Sequence, residues 1–110
     1  MLTLYQAEWC PYSSAVRELL TELGVDFVAR QVEPWPEDRD ALRKATGADE
    51  IPALVTDGGD VYAGTRRIFA FLETFPPGPH SEAHRERYAE HAGARQRDAT
   101  GRLIERFRAT

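Results

Sequence analysis

A single cysteine stands in a pattern that could do redox chemistry. Cys10 is followed by Pro11, Tyr12 and Ser13 at the point where a short apolar run gives way to an amphipathic one. A helix beginning at Pro11 would expose the Cys10 thiol beside free N–H groups and the positive end of the helix dipole, which favour the thiolate. Cys10 is the only cysteine among the 110 residues. Any disulfide that it forms is therefore with another molecule.

Composition restricts the class of protein. A chain of 110 residues is long enough for one domain with its own core. Its 42% hydrophobic and 29% charged residues are typical of a soluble globular protein. No apolar run approaches the roughly 18 residues of a membrane span, and the N-terminal segment lacks the features of a secretory signal. We therefore expect a cytoplasmic protein with no membrane partner, in a compartment where a lone thiol stays reduced.

Charge and histidine spacing argue against nucleic-acid and metal partners. The formal net charge is −4, and the mild excess of arginine after residue 80 is typical of a solvated helix face. His80, His84 and His91 lie at spacings of four and seven, which a helix would place on one face. No cysteine or other ligand signature accompanies them. We expect no nucleic-acid partner and no bound metal.

Hydrophobic periodicity predicts the element order β-α-β-α-β-β-α, followed by a helical segment. The first strand lies near residues 2–5. The first helix begins at Pro11 and ends before Gly24, and its apolar stripe consists of Val16, Leu19, Leu20 and Leu23. A second strand follows at 27–32. It should run parallel to the first because a helix separates them.

The second half of the pattern predicts a polar helix, a hairpin and a third helix. The polar helix covers 37–46, with Leu42 and Ala45 as its apolar contacts, and the hairpin pairs 53–56 with 61–62. The third helix has Thr65 as its expected N-cap. Its predicted buried stripe consists of Ile68, Phe69, Leu72 and Phe75.

Residues 1–79 are predicted to form one domain, and residues 80–110 a C-terminal helical extension. Gly93 and Gly101 each weaken a continuous helix, so a break is expected near one of them. Leu103, Ile104 and Phe107 are the apolar anchors of the extension. They could join two copies of the chain, so the expected state is a monomer or a weak homodimer through this helix.

Three motifs in this order resemble those of glutaredoxins and of the N-terminal domains of cysteine-type glutathione S-transferases. They are the active-site pentapeptide at residues 9–13, Glu50-Ile51-Pro52 before the third strand, and Gly64-Thr65 at the third helix. The resemblance covers residues 1–75. It implies an α/β fold of the thioredoxin-like, glutaredoxin type, in which helices flank a four-stranded mixed sheet, here with the C-terminal helical extension added.

The resemblance also implies a role for each motif residue. Cys10 would be the catalytic nucleophile. The residues that would bind a low-molecular-weight thiol are Tyr12, Ser13, Ile51, Pro52, Gly64, Thr65 and Arg66. Pro52 would be in the cis form with the Ile51 backbone pairing with the ligand, and Gly64 with Thr65 would let backbone N–H groups at the third helix receive its carboxylate. Ser13 could donate a hydrogen bond to the thiolate or only cap the helix.

The sequence departs from the glutaredoxin pattern in two places. Ala7 stands where glutaredoxins commonly have a lysine, and Arg66 with Arg67 stand where they have aspartates. Arginine at these positions would attract a carboxylate or phosphate and repel an amino group. The co-substrate is therefore expected to be glutathione or another low-molecular-weight thiol, such as a sugar-based one.

The function implied is that of a monothiol, glutaredoxin-like thiol-disulfide oxidoreductase. It would reduce mixed disulfides between proteins and a low-molecular-weight thiol, so its partners would be small thiols and disulfides and S-thiolated proteins. Two alternatives stay open. One is a stand-alone thiol transferase related to the N-terminal domain of a cysteine-type glutathione S-transferase. The other is a non-enzymatic thiol-binding module or a [2Fe–2S] carrier.

Overall fold

A four-stranded mixed sheet organises the part of the chain that the computed structural model describes, residues 1–91. The strands are β1 (Leu2–Gln6), β2 (Phe27–Gln31), β3 (Ala53–Val55) and β4 (Val61–Ala63). The helices are α1 (Pro11–Leu23), α2 (Asp40–Thr46), α3 (Thr65–Leu72) and α4 (Ser81–His91), with a short 3-10 turn at Pro36–Asp38 before α2.

The strand order in the sheet is β2-β1-β3-β4. β1 pairs in parallel with β2, whereas β3 is antiparallel to both β1 and β4. The parallel β1–β2 pair follows from α1, because a crossover helix returns the chain to the starting edge before the next strand begins. The structure and its relatives, described below, confirm the predicted α/β fold with four strands.

The core lies between the sheet and the pair α1 and α3. Alternate residues of β1 and β3 face inward, and the helical stripes of α1 and α3 meet them. The buried cluster consists of Leu4, Val16, Leu20, Leu54, Ile68 and Leu72. Fully burying one such side chain stabilises the fold by about 1.5–3 kcal/mol, so this contact holds α1 against the sheet.

Several details differ from the sequence-based expectations. Gly64, not Thr65, is the N-cap of α3, because the chain turns at Gly64 with φ of +91° and Thr65 is already helical. α3 ends at Leu72, so Phe75 packs against the core from the segment after the helix. In α2, Leu42 is buried as expected, but Ala45 is exposed because this short helix covers little of the sheet.

α4 is fastened to the C-terminal end of α1 by polar contacts. The Ser81 hydroxyl donates to the Glu22 carbonyl at 2.6 Å, and Arg85 pairs with the Glu22 carboxylate at 3.1 Å. The boundary at residue 79 stays a prediction. The expected breaks at Gly93 and Gly101 and the anchors Leu103, Ile104 and Phe107 lie outside the described residues.

The approach to α4 passes very close to α1 at Gly78. A Cβ added at Gly78 would meet the Glu22 carbonyl oxygen and stand 2.6 Å from the Leu23 carbonyl carbon. Both are backbone atoms, which cannot rotate away as a side chain does. Only glycine fits here without moving the 76–81 segment away from α1.

Substituting Gly78→Ala should therefore lower the free energy of unfolding by about 1–3 kcal/mol, since overpacking against backbone forces the segment to shift. Urea denaturation followed by circular dichroism measures the change. Gly58→Ala is the matched control, because its added Cβ would lie 3.8 Å from the nearest atom, Thr56 Oγ1. Equal stabilities of the two variants would contradict the close approach.

Candidate active site

The predicted site residues meet at one edge of the sheet. β1 and β2 both end there, and β3, which is antiparallel to β1, begins there. β4 returns to the same edge, where the Gly64 N–H donates to the Pro52 carbonyl at 2.9 Å. The edge therefore gathers three segments that are distant in sequence: Cys10 with Tyr12 and Ser13, Ile51 with Pro52, and Gly64 with Thr65 and Arg66.

Cys10 is the N-cap of α1. Its sulfur accepts a hydrogen bond from the Ser13 backbone N–H at 3.5 Å, and its own N–H donates to the Ala7 carbonyl at 3.1 Å. The sequence predicted an exposed thiol at this junction, but Cys10 is only 6% exposed, so that prediction is wrong. The capping hydrogen bond explains the difference, because it turns the sulfur toward the helix instead of outward.

Ser13 acts on the sulfur through its backbone. Its side chain is buried, and the hydroxyl oxygen accepts a hydrogen bond from the Ala7 N–H at 3.4 Å. The hydroxyl therefore ties the loop of residues 7–10 to the first turn of α1. The sequence left open whether Ser13 donates a hydrogen bond to the sulfur or only caps the helix. In the structure Ser13 does donate to the sulfur, but through its backbone N–H and not through its hydroxyl.

Ile51 and Pro52 present an unpaired stretch of backbone beside this turn. The peptide bond between them is cis, as expected from the resemblance. The β1–β3 ladder ends at Tyr5 and Ala53, so Ile51 lies beyond it. Within residues 1–91, neither the N–H nor the carbonyl of Ile51 has a hydrogen-bond partner. Such a residue can pair with the backbone of an extended ligand.

The N-terminus of α3 offers further donors. Its first intrahelical hydrogen bond runs from the Ile68 N–H to the Gly64 carbonyl, and in the described part of the chain the N–H groups of Thr65, Arg66 and Arg67 have no partner. Both arginine side chains are exposed. Anions are favoured at such a terminus.

Glu50, a motif residue for which the sequence predicted no role of its own, also belongs to this corner. A Cβ added at Gly64 would stand 2.7 Å from Glu50 Oε1, so the carboxylate lies directly against the glycine. The absence of a side chain at Gly64 is what makes room for it. The site therefore combines the Arg66 cation, the Glu50 anion and free backbone groups.

Arg39 is a second residue that sequence reasoning missed. It is 5% exposed, and its guanidinium donates to three backbone carbonyls: Glu33 at 2.9 Å, Pro34 at 3.1 Å and Asp49 at 2.9 Å. These bonds join the loop after β2 to the segment that leads into Ile51. A buried cation needs such partners, but nothing local in the sequence distinguishes it from an exposed arginine.

A polar chain supports the loop that carries Cys10. Gln6, fully buried at the end of β1, donates to the Gln31 side chain at 3.2 Å and accepts from Arg17. Arg17 also pairs with Glu8 at 3.2 Å. α1 thereby holds both ends of the turn between β1 and Cys10.

Exposed aromatic residues lie in the segments that follow β1 and β2 at this edge. Trp9, directly before Cys10, is 64% exposed, and Tyr12 is 63% exposed. Trp35, which follows β2, is also 64% exposed. The end of β2 lies beside the end of β1, because the Val32 N–H donates to the Gln6 carbonyl at 3.2 Å. Large apolar surfaces left in water at one edge are typical of contact sites.

Neither a metal centre nor a membrane span is found in the described residues. Residues 1–91 contain no group of three or more His, Cys, Asp or Glu side chains placed to hold a metal ion. Within the same range no helix has the length and apolar character needed to cross a bilayer.

Comparisons with known proteins identify similar chains. Residues 4–80 match the family model described as the N-terminal domain of glutathione S-transferase. A curated glutaredoxin from Pseudomonas aeruginosa is 32% identical over 53 residues, which are 48% of this chain and 63% of that relative. The chain therefore spans less than two thirds of the length of that glutaredoxin.

Solved structures give the same fold. A glutathione S-transferase from Sinorhizobium meliloti superposes with a TM-score of 0.62 at 26% identity, covering 83% of this chain and 44% of that one. A buckwheat glutaredoxin, crystallised in complex with glutathione, superposes with a TM-score of 0.53 at 23% identity, covering 66% of this chain and 68% of that one. The thioredoxin-like architecture is thereby confirmed.

Replacing Arg39 with methionine should lower the free energy of unfolding by about 2–4 kcal/mol, because three carbonyls lose their charged donor. Urea denaturation measures the loss. Arg43→Met is the matched control, since Arg43 also donates to backbone carbonyls but on the exposed surface, and should cost about 1 kcal/mol or less. A cost for Arg39→Met no larger than that of the control would contradict the bracing role.

Replacing Ser13 with alanine should leave the alkylation rate of Cys10 within about twofold of wild type, because the backbone N–H that reaches the sulfur remains. Iodoacetamide at fixed pH reports on this thiol alone, as the chain has no other cysteine. Ser14→Ala serves as the control. A tenfold lower rate in the Ser13 variant only would assign the sulfur contact to the hydroxyl instead.

Proposed function

Because this chain belongs to the family of glutathione S-transferase N-terminal domains, we propose that it is a thiol transferase with Cys10 as its nucleophile. More narrowly, it acts as a monothiol thiol-disulfide oxidoreductase on mixed disulfides of a low-molecular-weight thiol. The observation that carries this proposal is the position of the Cys10 sulfur, which accepts the Ser13 N–H at the sheet edge where the Ile51 backbone is unpaired.

The first step is attack by the Cys10 thiolate on the low-molecular-weight sulfur of the mixed disulfide. A bond forms from Cys10 to that sulfur as the original S–S bond breaks, and the substrate leaves as a thiolate that takes a proton from water. The positive end of α1 and the Ser13 N–H stabilise the charge on the attacking sulfur. Cys10 is 6% exposed, so the incoming sulfur would reach it through the small part of its surface that is left to solvent.

The second step restores the enzyme. A second molecule of the low-molecular-weight thiol, as thiolate, attacks the sulfur of the first molecule that is bound to Cys10. The bond between that sulfur and Cys10 breaks, so that a small disulfide leaves and Cys10 returns as the thiolate. The resolving thiol comes from solution, because Ser13 stands where a second cysteine would have to lie. Such a cycle needs a reduced compartment, and we place the protein in the cytoplasm for that reason.

Glutathione is the co-substrate that this site accommodates best. The Ile51 backbone would pair with the cysteinyl unit, and the free N–H groups at the start of α3 would receive the γ-glutamyl carboxylate. Glu50 beside Gly64 supplies an acceptor for the adjacent ammonium, which Arg66 alone would repel. That the similar buckwheat glutaredoxin was crystallised with glutathione supports this choice.

Incubation with oxidised glutathione should add one glutathionyl group to wild-type protein and none to Cys10→Ser, because the variant has no sulfur to form the bond. Intact mass spectrometry measures the adduct. Turnover of hydroxyethyl disulfide with glutathione should likewise be lost in Cys10→Ser. A variant that retained turnover would remove Cys10 from the mechanism.

Cystine and the disulfide of a sugar-based thiol are the comparison reagents in the same mass measurement. Adduct formation with only one of these would keep Cys10 as nucleophile and replace glutathione as the co-substrate. Absence of any adduct, with the protein folded by circular dichroism, would reject the transferase proposal.

A further inference from the structure

We propose that the free side of β2, defined here as residues 26–31, binds a second copy of this chain. The two β2 strands would pair antiparallel about a two-fold axis through Val28 and join two four-stranded sheets into one. The proposed function does not use this surface. The proposal rests on the exposure of β2, on the direction of its backbone groups and on the placement of its charges.

β2 is the longer of the two outer strands of the sheet. It has five residues where β4 has three, and among the described residues it pairs with β1 alone. Its residues from Val28 to Gln31 are exposed, and Val28 is 43% exposed although it is apolar. Neither proline nor glycine interrupts it. Proteins commonly shorten or interrupt such a strand, because its unpaired backbone is a template for pairing with another chain.

The backbone groups of alternate β2 residues point away from the sheet. At the end of the strand, the Val32 N–H donates to the Gln6 carbonyl of β1. Successive residues turn their N–H and C=O groups to opposite sides of a strand, so those of Val28 and Arg30 also point to β1. The residues whose N–H and C=O groups point to the free side are therefore Phe27, Ala29 and Gln31.

Antiparallel pairing of two copies requires these outward residues to lie opposite one another. With Val28 on the two-fold axis, Phe27 of each copy lies opposite Ala29 of the other, and each such pair exchanges both of its main-chain hydrogen bonds. Val28 then lies opposite its own copy in a non-hydrogen-bonded pair, with a Cα–Cα distance of about 4.5 Å. Registers centred on Phe27 or Ala29 would also satisfy the backbone, so the side chains decide between the registers.

Two opposite charges select the register centred on Val28. Asp26, directly before β2, and Arg30 lie two residues to either side of Val28, so the three side chains share one face of the sheet. Asp26 and Arg30 are exposed and have no ion-pair partner within residues 1–91. In this register alone, Asp26 of each copy lies opposite Arg30 of the other, at a spacing where opposite charges stabilise the pairing.

A row of β-branched side chains would also continue across the axis. Val28 is paired with Thr3, Thr3 with Val55, and Val55 with Val61, so the row crosses all four strands. All four residues are at least partly exposed. Pairing at Val28 places the rows of two copies end to end, and cross-strand pairs of this kind stabilise a sheet. The pairing thereby covers the exposed apolar surface of Val28.

The pairing leaves both active sites open. Because the two β2 strands run in opposite directions, the sheet edges that carry Cys10 face away from each other. The proposed dimer therefore has two independent sites, and its formation does not depend on the chemistry of Cys10.

A charge exchange tests the register. Sedimentation equilibrium of the full chain measures the dissociation constant of the dimer, which should be about 10–100 μM for so small an interface. Asp26→Arg and Arg30→Asp each place like charges opposite one another on both sides of the axis and should weaken the dimer about tenfold. The combined variant Asp26→Arg/Arg30→Asp restores opposite charges, so its dissociation constant should return to within about threefold of wild type.

A proline tests the main-chain pairing. Ala29→Pro removes an N–H that points to the free side and not to β1, so the chain should fold, as circular dichroism will show, and the dimer should be lost. Ala29→Ser keeps the N–H and is the matched control, which should dimerise as wild type does. Turnover of hydroxyethyl disulfide per subunit should stay within about twofold of wild type in both variants, because the pairing leaves Cys10 free.

Crosslinking locates the two-fold axis. In a Cys10→Ser background, Val28→Cys places the two introduced thiols at a Cα–Cα distance that suits a disulfide, so oxidation should give a covalent dimer on a non-reducing gel. Gln31→Cys is the control at another exposed position of the strand. It should remain monomeric, since its two copies would lie about 20 Å apart.

Wild-type chain that is monomeric at about 1 mM protein would overturn the proposed dimer. A dimer that Ala29→Pro does not weaken would place the association elsewhere on the chain and overturn the pairing of β2. Crosslinking through Gln31→Cys in place of Val28→Cys, or a combined charge variant that is as weak as the single ones, would overturn the register on which the proposal depends.

Discussion

The packing of α1 against the sheet is the contact on which the site depends. Val16 and Leu20 lie buried with Leu4 and Leu54, so the axis of α1 is fixed over β1 and β3. Because only four residues separate β1 from α1, this packing places the first turn of the helix at the sheet edge. The helix dipole and the Ser13 N–H then act on one sulfur. A looser core would leave the same residues without that alignment.

Polar contacts hold the loops at the sheet edge, which lie beyond the apolar core. The loops at the edge contain few apolar side chains that are buried, and they are held by Arg39 on three carbonyls and by Arg17 with Gln6 and Glu8. Within the described residues, no buried side-chain nitrogen or oxygen lacks a partner. Such saturated networks specify loop positions more than they add stability. Here they bring the loop after β2 beside the segment that leads to Ile51.

The charges around the edge are carried by side chains, whereas the fold is formed by the backbone and the core. In the proposed function, the unpaired main chain at Ile51 and at the start of α3 would bind a peptide-like ligand through backbone groups. Arg66, Glu50 and the carboxylates of residues 33–40 are side chains added to that scaffold. Backbone recognition can therefore persist while the preferred partner changes with the charges. The strand order places Arg66 and the carboxylates of residues 33–40 after the two outer strands, at opposite ends of that edge.

Local patterns in the sequence were sufficient to predict the element order, the ends of α1 at Pro11 and Gly24 and the position of Cys10 at a helix start, because periodicity and capping act between near neighbours. The fold class was predicted from the resemblance of three motifs to a known family. The tertiary structure alone decided the burial of Cys10, the N-cap at Gly64, and the contacts of Glu50 and Arg39. Each of these depends on segments separated by more than a few residues. Their approach is determined by the core and the strand order, which no short window of sequence contains.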